Sequence, residues 1–211
     1  MKAVIFDMDG VLIDSEPLHF KGSKKVLKKF GNELTWNVYQ KCIGTTMKKS
    51  MEIYIKEFGL NVSADELMRL CDNAFIEEVK KNCVAKEGVY QLLKRLVGRI
   101  TIALASSANE SQIEMILNGL KIKQYFSVII SGEHFEESKP DPRIYIETAK
   151  NLQVNPHECL VIEDSEAGLH AAKDARMKCV VVKTPYTKDT DMSRADYIID
   201  SLNDFRLGWI R

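Results

Sequence analysis

The sequence predicts a doubly wound parallel α/β sheet of Rossmann-like form, interrupted once by an all-helical insertion. Three observations predict it. Short β-branched runs recur along the 211 residues, helical patterns separate most of them, and the first gap between runs exceeds 90 residues without a convincing strand. The runs lie at 2–6, 99–105, 127–130, 159–162 and 178–182, with a weaker sixth at 197–199. They are apolar throughout rather than alternating, as strands covered on both faces are. Helical patterns fall near 89–97, 111–120, 144–152 and 166–175.

The long first gap reads as helices. Pro17 suits the first turn of one running towards Phe30-Gly31. Met47, Met51, Tyr54, Ile55 and Phe58 follow helical spacing, and Ser63-x-x-Glu66 is a capping box before Leu67, Leu70, Cys71, Ala74 and Phe75. The expected division is a helical domain over residues 15–82 set into an α/β core formed by 1–14 and 83–211.

Thirty basic side chains balance 30 acidic ones, and 45% of residues are apolar against 28% charged. That composition excludes a disordered, collagenous or coiled-coil chain. Zero net charge argues against nucleic acid and anionic membranes as partners. The total hides a division: residues 15–82 hold 12 basic and 9 acidic side chains, and the remainder 18 and 21. The five cysteines are odd in number, scattered and never spaced CxxC, as expected of buried thiols in a reducing compartment. Asp7 interrupts the N-terminus before a signal-peptide core can form, and no run approaches the ~18 apolar residues of a membrane span. The expectation is a soluble, cytoplasmic protein for which nothing demands more than a monomer.

The chemistry gathers after the strands. In an open α/β sheet ligands bind beyond the carboxyl ends of the strands. The first run ends in Phe6-Asp7-Met8-Asp9-Gly10, where two carboxylates project to one side if the extended conformation persists. Alone, the string reads equally well as an acidic turn. The second run ends in Ala105-Ser106-Ser107-Ala108-Asn109, hydroxyls leading into a helix start that suit a phosphate, or simple N-caps. The third is followed by Ser138-Lys139-Pro140-Asp141-Pro142, which presents Lys139 from a stiff support. The fourth ends in Ile162-Glu163-Asp164-Ser165. Carboxylates this numerous near Asp7 and Asp9 need a cation, and Mg²⁺ suits an all-oxygen set beside a phosphate.

The ordered set FDMDGVLIDSE, ASSAN, SKPDP and VIEDS resembles the four motifs of the haloacid dehalogenase superfamily, over essentially the whole chain. The helical insertion resembles the subfamily with a helical cap. Within it, DGVLIDSEPLH and SKPDP are most similar to β-phosphoglucomutase-like phosphatases. The resemblance implies that Asp7 is a nucleophile forming an aspartyl-phosphate and Asp9 the general acid and base. It implies that Ser106, Ser107 and Lys139 hold the phosphoryl group, with Lys139 also steadying Asp7. Glu163 and Asp164 would hold Mg²⁺ with Asp7 and the Asp9 backbone carbonyl. Haloalkanoate-cleaving members use neither the second aspartate nor a metal, so the presence of Asp9, Glu163 and Asp164 disfavours dehalogenation.

Substrate choice is expected in residues 15–82, from Glu16, His19, Gly44 and Lys48. His19 reads equally as a substrate contact and as a satisfied hinge residue. Where β-phosphoglucomutases carry an arginine a few residues after the loop glycine, this chain has Met47, Lys48 and Lys49. A lysine does not reproduce arginine's bidentate grip. The implied activity is therefore hydrolysis of a small phosphorylated metabolite, with a phosphosugar mutase as runner-up. A phospho-receiver module is the distant alternative; it is about half this length, and its acid pair precedes the modified aspartate.

Overall fold

The computed structural model describes residues 1–187 and 190–211. Two compact units emerge, Met1–Asp14 with Val84–Arg211, and Ser15–Cys83. The larger unit is built on six parallel strands: β1 (Ala3–Phe6), β2 (Thr101–Ser106), β3 (Val128–Ser131), β4 (Cys159–Glu163), β5 (Lys178–Val182) and β6 (Tyr197–Ile199). Their order in the sheet is β3-β2-β1-β4-β5-β6, the doubly wound order whose direction reverses between β1 and β4. Such a reversal leaves a crevice at the strands' carboxyl ends, because successive crossovers leave in opposite directions there.

β1 is wholly buried, as its uninterrupted Ala-Val-Ile-Phe requires. Ile5, Ala103, Ala105 and Val161 pack with Tyr145, Leu169 and Cys179 in one core. The larger unit's helices, α5 (Val89–Leu96), α6 (Glu110–Gly119), α7 (Arg143–Asn151) and α8 (Glu166–Asp174), occupy the expected stretches. Asn109 and Ser165 cap α6 and α8 by accepting the N–H groups of Gln112 and Gly168.

Several strand boundaries differ from the sequence reading for physical reasons. β2 begins at Thr101 because Arg99 and Ile100 still donate to the Leu96 carbonyl in the turn leaving α5. β2, β3 and β4 each run one residue further, onto Ser106, Ser131 and Glu163. Ser106 pairs with Ser131 and Glu163 with Val181, so the ladder continues past the apolar runs that mark the strands in sequence. The opposite holds at β1, which ends at Phe6. Val11, Leu12 and Ile13 all donate to the Met8 carbonyl, so the chain turns directly after the strand.

The smaller unit is helical throughout: α1 (Glu16–Lys29), α2 (Trp36–Gln40), α3 (Met47–Phe58) and α4 (Ala64–Asn82). Val26, Leu27, Tyr39, Met51, Tyr54, Leu67 and Cys71 form its core. Pro17 sits in the first turn of α1, and Ser63 Oγ accepts the Glu66 N–H at the start of α4. All five cysteines are free thiols, four of them buried. Among the described residues no helix is long and apolar enough to cross a membrane.

Candidate active site

The sheet register brings the chemistry to one level. Phe6 pairs with Leu104 of β2 and with Ile162 of β4, so the next residue on each strand, Asp7, Ala105 and Glu163, stands side by side. The Asp7 N–H still donates to the Ile162 carbonyl at 2.9 Å, holding the aspartate against β4. Lys139 closes this row. Its Nζ donates to Asp7 Oδ1 at 2.6 Å, to Glu163 Oε1 at 2.7 Å and to the Ala105 carbonyl at 3.2 Å. All three ammonium protons are thereby used, and the side chain is 7% exposed.

Lys139 arrives from a stiff support. Asp141 accepts both the N–H and the Nε–H of Arg143, and its own N–H donates to the Ser138 carbonyl. Glu163 is more heavily bonded still. Oε1 accepts from Lys139 and from the Tyr145 hydroxyl at 2.6 Å; Oε2 accepts from the Asp164 and Ser165 N–H groups and the Ser165 hydroxyl. The backbone donors belong to the start of α8, where helix geometry favours an anion.

Two glycines leave room for these carboxylates. A Cβ on Gly168 would lie 1.8 Å from Glu163 Oε1. One on Gly10, whose φ is +74°, would lie 1.9 Å from Asp164 Oδ2. Any other residue at either position displaces an acidic side chain, and at Gly10 it also meets left-handed backbone strain.

Asp7, Glu163 and Asp164 present carboxylate oxygens within 4.8 Å of one another. One buried lysine does not neutralise three acids, and Asp7 and Asp164 carry the consequence. Burial pushes Asp7 well above the usual carboxylate range against the pull of Lys139, with Glu163 and Asp9 adding repulsion. Burial likewise raises Asp164, helped by the charges of Glu163 and Asp7. Burial also opposes ionisation of Glu163, but Lys139 and the hydrogen bonds around it outweigh that, so it lies below its ordinary value. For Lys139, burial is overcome by Asp7 and Glu163, and the ammonium is held above the ordinary lysine range. An all-oxygen donor set with unmet negative charge fits a hard divalent cation, and Mg²⁺ before softer metals.

A stability test follows. Asp7 and Asp164 bind protons more tightly folded than unfolded, so stability falls as pH rises above their ordinary 3.8. Glu163 has the opposite sign, but its titration lies below 4.5 and is complete above it. With chelator present, Tm should therefore be lower at about pH 7 than at about pH 5. The gap should shrink in Asp7→Asn/Asp164→Asn; an unchanged gap in that variant would refute the assignment.

The remaining candidates divide. Ser106 is fully buried at the end of β2, its Oγ accepting the Ala108 N–H, while Ser107 is exposed. Asn109, not Ser106, caps α6. Asp9 is partly buried beyond the turn, and its carboxylate is not in the three-acid group. In the smaller unit Glu16, His19 and Gly44 line a cavity of about 140 Å³, together with Ser23, Tyr39, Thr45 and Ser50. Tyr39 donates to Glu16 Oε2 at 2.5 Å, and His19 stacks on Phe75 with ring centroids 3.8 Å apart. Lys48 is exposed and does not line it, because Met47, one step earlier on α3, takes the inward position.

Two residues escaped the sequence reading. Tyr145 looks like a core aromatic of α7, and nothing in its spacing announces the hydroxyl's partner. Lys86 looks like one surface lysine among many, yet it is half-buried with Nζ donating to the Gly10 carbonyl. Burial holds its ammonium below the ordinary lysine value, against the charges of Asp164 and Asp14.

Comparison with known proteins places this geometry. Residues 4–182 match the model of the haloacid dehalogenase-like hydrolases. A phosphorylated carbohydrates phosphatase of Thermotoga maritima is 32% identical over 179 residues, covering 83% of this chain and 82% of that protein. Hexitol phosphatase B of Escherichia coli is 29% identical, covering 96% and 93%. The crystal structure of β-phosphoglucomutase from Clostridium difficile superposes with a TM-score of 0.82 at 26% identity, covering 100% and 95%.

Proposed function

Because the chain belongs to the haloacid dehalogenase-like hydrolases, as a phosphatase of their β-phosphoglucomutase-like branch, we propose that it is a Mg²⁺-dependent phosphomonoesterase for a small phosphorylated carbohydrate. The observation that carries this reading is Lys139 joining Asp7, Ala105 and Glu163 at one level of the sheet, beside Asp164. Such a group suits phosphoryl transfer, which needs positioning and charge neutralisation more than elaborate covalent chemistry.

Lys139 engages Asp7 through Oδ1, which leaves Oδ2 to attack phosphorus. The attack forms an Asp7–phosphate bond and breaks the ester bond, whose oxygen takes a proton from Asp9. Asp9 then removes a proton from water as that water attacks the phosphoaspartate, releasing inorganic phosphate and restoring Asp7. Ser106 and Ser107, at the end of β2 before α6, would offer donors to the phosphoryl oxygens. Asp7 and Asp164, with the Asp9 backbone carbonyl, would hold Mg²⁺, and Glu163 completes the charge around them. The ion would neutralise charge on the phosphoryl oxygens.

The helical unit has a polar cavity of its own. Its polar lining includes Glu16, His19 and the hydroxyls of Ser23, Tyr39, Thr45, Ser50 and Tyr54, and no lysine or arginine lines it among the described residues. The hydroxyls of a sugar or polyol would find donors and acceptors.

The test is phosphate release from a panel of sugar and polyol monophosphates, including β-glucose 1-phosphate, with Mg²⁺ and with chelator. Release from at least one ester, abolished by chelation and restored by Mg²⁺, is expected. Isomerisation of β-glucose 1-phosphate without release would favour the mutase, and chelator-resistant release would refute the metal's part.

A further inference from the structure

Tyr145 is the third residue of α7 and is fully buried, yet its hydroxyl is turned to the site rather than to the core around its ring. The hydroxyl donates to Glu163 Oε1 at 2.6 Å. The same oxygen accepts from Lys139, whose Nζ lies 4.9 Å from the centre of the Tyr145 ring. Tyr145 therefore touches this pair twice, by a hydrogen bond to the carboxylate and by its π-face to the ammonium.

Glu163 is the other half of the arrangement. A carboxylate offers about four lone-pair directions. This one accepts five hydrogen bonds, from Lys139, Tyr145, the Asp164 and Ser165 N–H groups and the Ser165 hydroxyl. It is 1% exposed. Bonds this dense fix its orientation, and Glu163 in turn fixes where the Lys139 ammonium sits relative to Asp7.

Building on the phosphatase reading above, we propose that Tyr145 is a positioning residue for phosphoryl transfer: its hydroxyl, acting through Glu163, holds Lys139 at the place where it steadies the attacking Asp7. The hydroxyl touches no reacting atom. It sets the geometry of one that does, and small misplacements of such groups are costly to rate. Binding of a ground-state ester, which does not require the final alignment, is affected far less.

Tyr145→Phe isolates the hydroxyl, since it keeps the ring and leaves Lys139 on Glu163 Oε1. On the enzyme with Mg²⁺, kcat for phosphate release is expected to fall about 10- to 100-fold with KM within about twofold. Tm should stay close to wild type. A packing role predicts the reverse: full kcat in Tyr145→Phe and a lowered Tm only in Tyr145→Leu. The loss should also vanish when the hydroxyl is removed from a Glu163→Gln background, because the path runs through that carboxylate. An undiminished loss there would overturn the proposal, as would a wild-type kcat in Tyr145→Phe. Orthovanadate supplies a readout independent of turnover. Its affinity, measured by calorimetry, should weaken about tenfold in Tyr145→Phe while that of inorganic phosphate stays within about twofold. Equal vanadate affinities would sink the positioning role even if the enzyme proved active. Vanadate discrimination in a chain releasing no phosphate would uphold it while refuting the phosphatase reading.

Discussion

Asp7→Asn is expected to lower phosphate release by about 10⁴-fold or more, the scale seen when an enzyme loses its nucleophile. The asparagine keeps an oxygen that can accept from Lys139, so the row Asp7–Lys139–Glu163 should remain assembled. What goes is the anionic oxygen that bonds phosphorus, together with one charge from the three-acid group. Stability should move the other way. Asp7 is a buried carboxylate that holds its proton well above the usual range, so its ionised form is a burden to the fold near neutral pH. Tm in chelator at about pH 7 should rise or stay level. Loss of activity with a retained or raised Tm separates a nucleophile from a structural acid. Activity within tenfold of wild type would refute the assignment.

Lys139→Met should harm both properties. The substitution leaves Asp7 and Glu163 buried, at 6% and 1% exposure, with no lysine between them and with Asp164 alongside. Removing one partner of a buried ionic group typically costs about 3–5 kcal/mol. For a chain of this size that is a fall in Tm of roughly 6–20 °C. Without Lys139 the cation that does most to hold Glu163 below its ordinary value is gone and the burial of the acids is opposed by no charge between them, so the deficit should shrink as pH falls towards about 4–5. Phosphate release should drop by about 10³-fold, since a preorganised charge at the phosphoryl group is lost. A variant within about 2 °C of wild-type Tm would contradict the buried ion group. One within tenfold of its activity would contradict the role in transfer.

How far the site was legible in sequence depended on the kind of signal. Asp7, Lys139 and Glu163 stand out together, as polar residues after successive apolar runs, although each alone reads as a turn or surface residue. The resemblance implies that Lys139 steadies Asp7, but that Glu163 shares the same ammonium was not legible. Asp9 illustrates the limit: two acids two apart do not reveal that the Met8 carbonyl collects three N–H groups where the chain turns, or that Asp9 stands outside the three-acid group. Lys48 illustrates another, since loop resemblance does not say which of two neighbouring helical residues turns inward. Tyr145 was hidden because an aromatic residue on a buried helical face reads as packing whether or not its hydroxyl has a partner. The ends of β2 and β4 ran past the apolar pattern for a related reason: Ser106 and Glu163 are held in the ladder by backbone bonds, which carry no side-chain signature.

The sequence by itself determined the elements, their parallel α/β character and the place of the helical insertion, because β-branched runs, helical periodicity and caps are local properties written in neighbouring residues. It also determined the inventory of chemistry beyond the strands. Only the tertiary structure decided how that inventory converges. Lys139 and Asp7 lie 132 residues apart, and their 2.6 Å bond exists because the register of β1 with β2 and β4 sets three strand ends at one height. Register is a property of paired backbones, and the burial that raises Asp7 and Asp164, like the facing acids that keep Lys139 charged against it, is a property of the whole core. Neither can be read from one segment at a time.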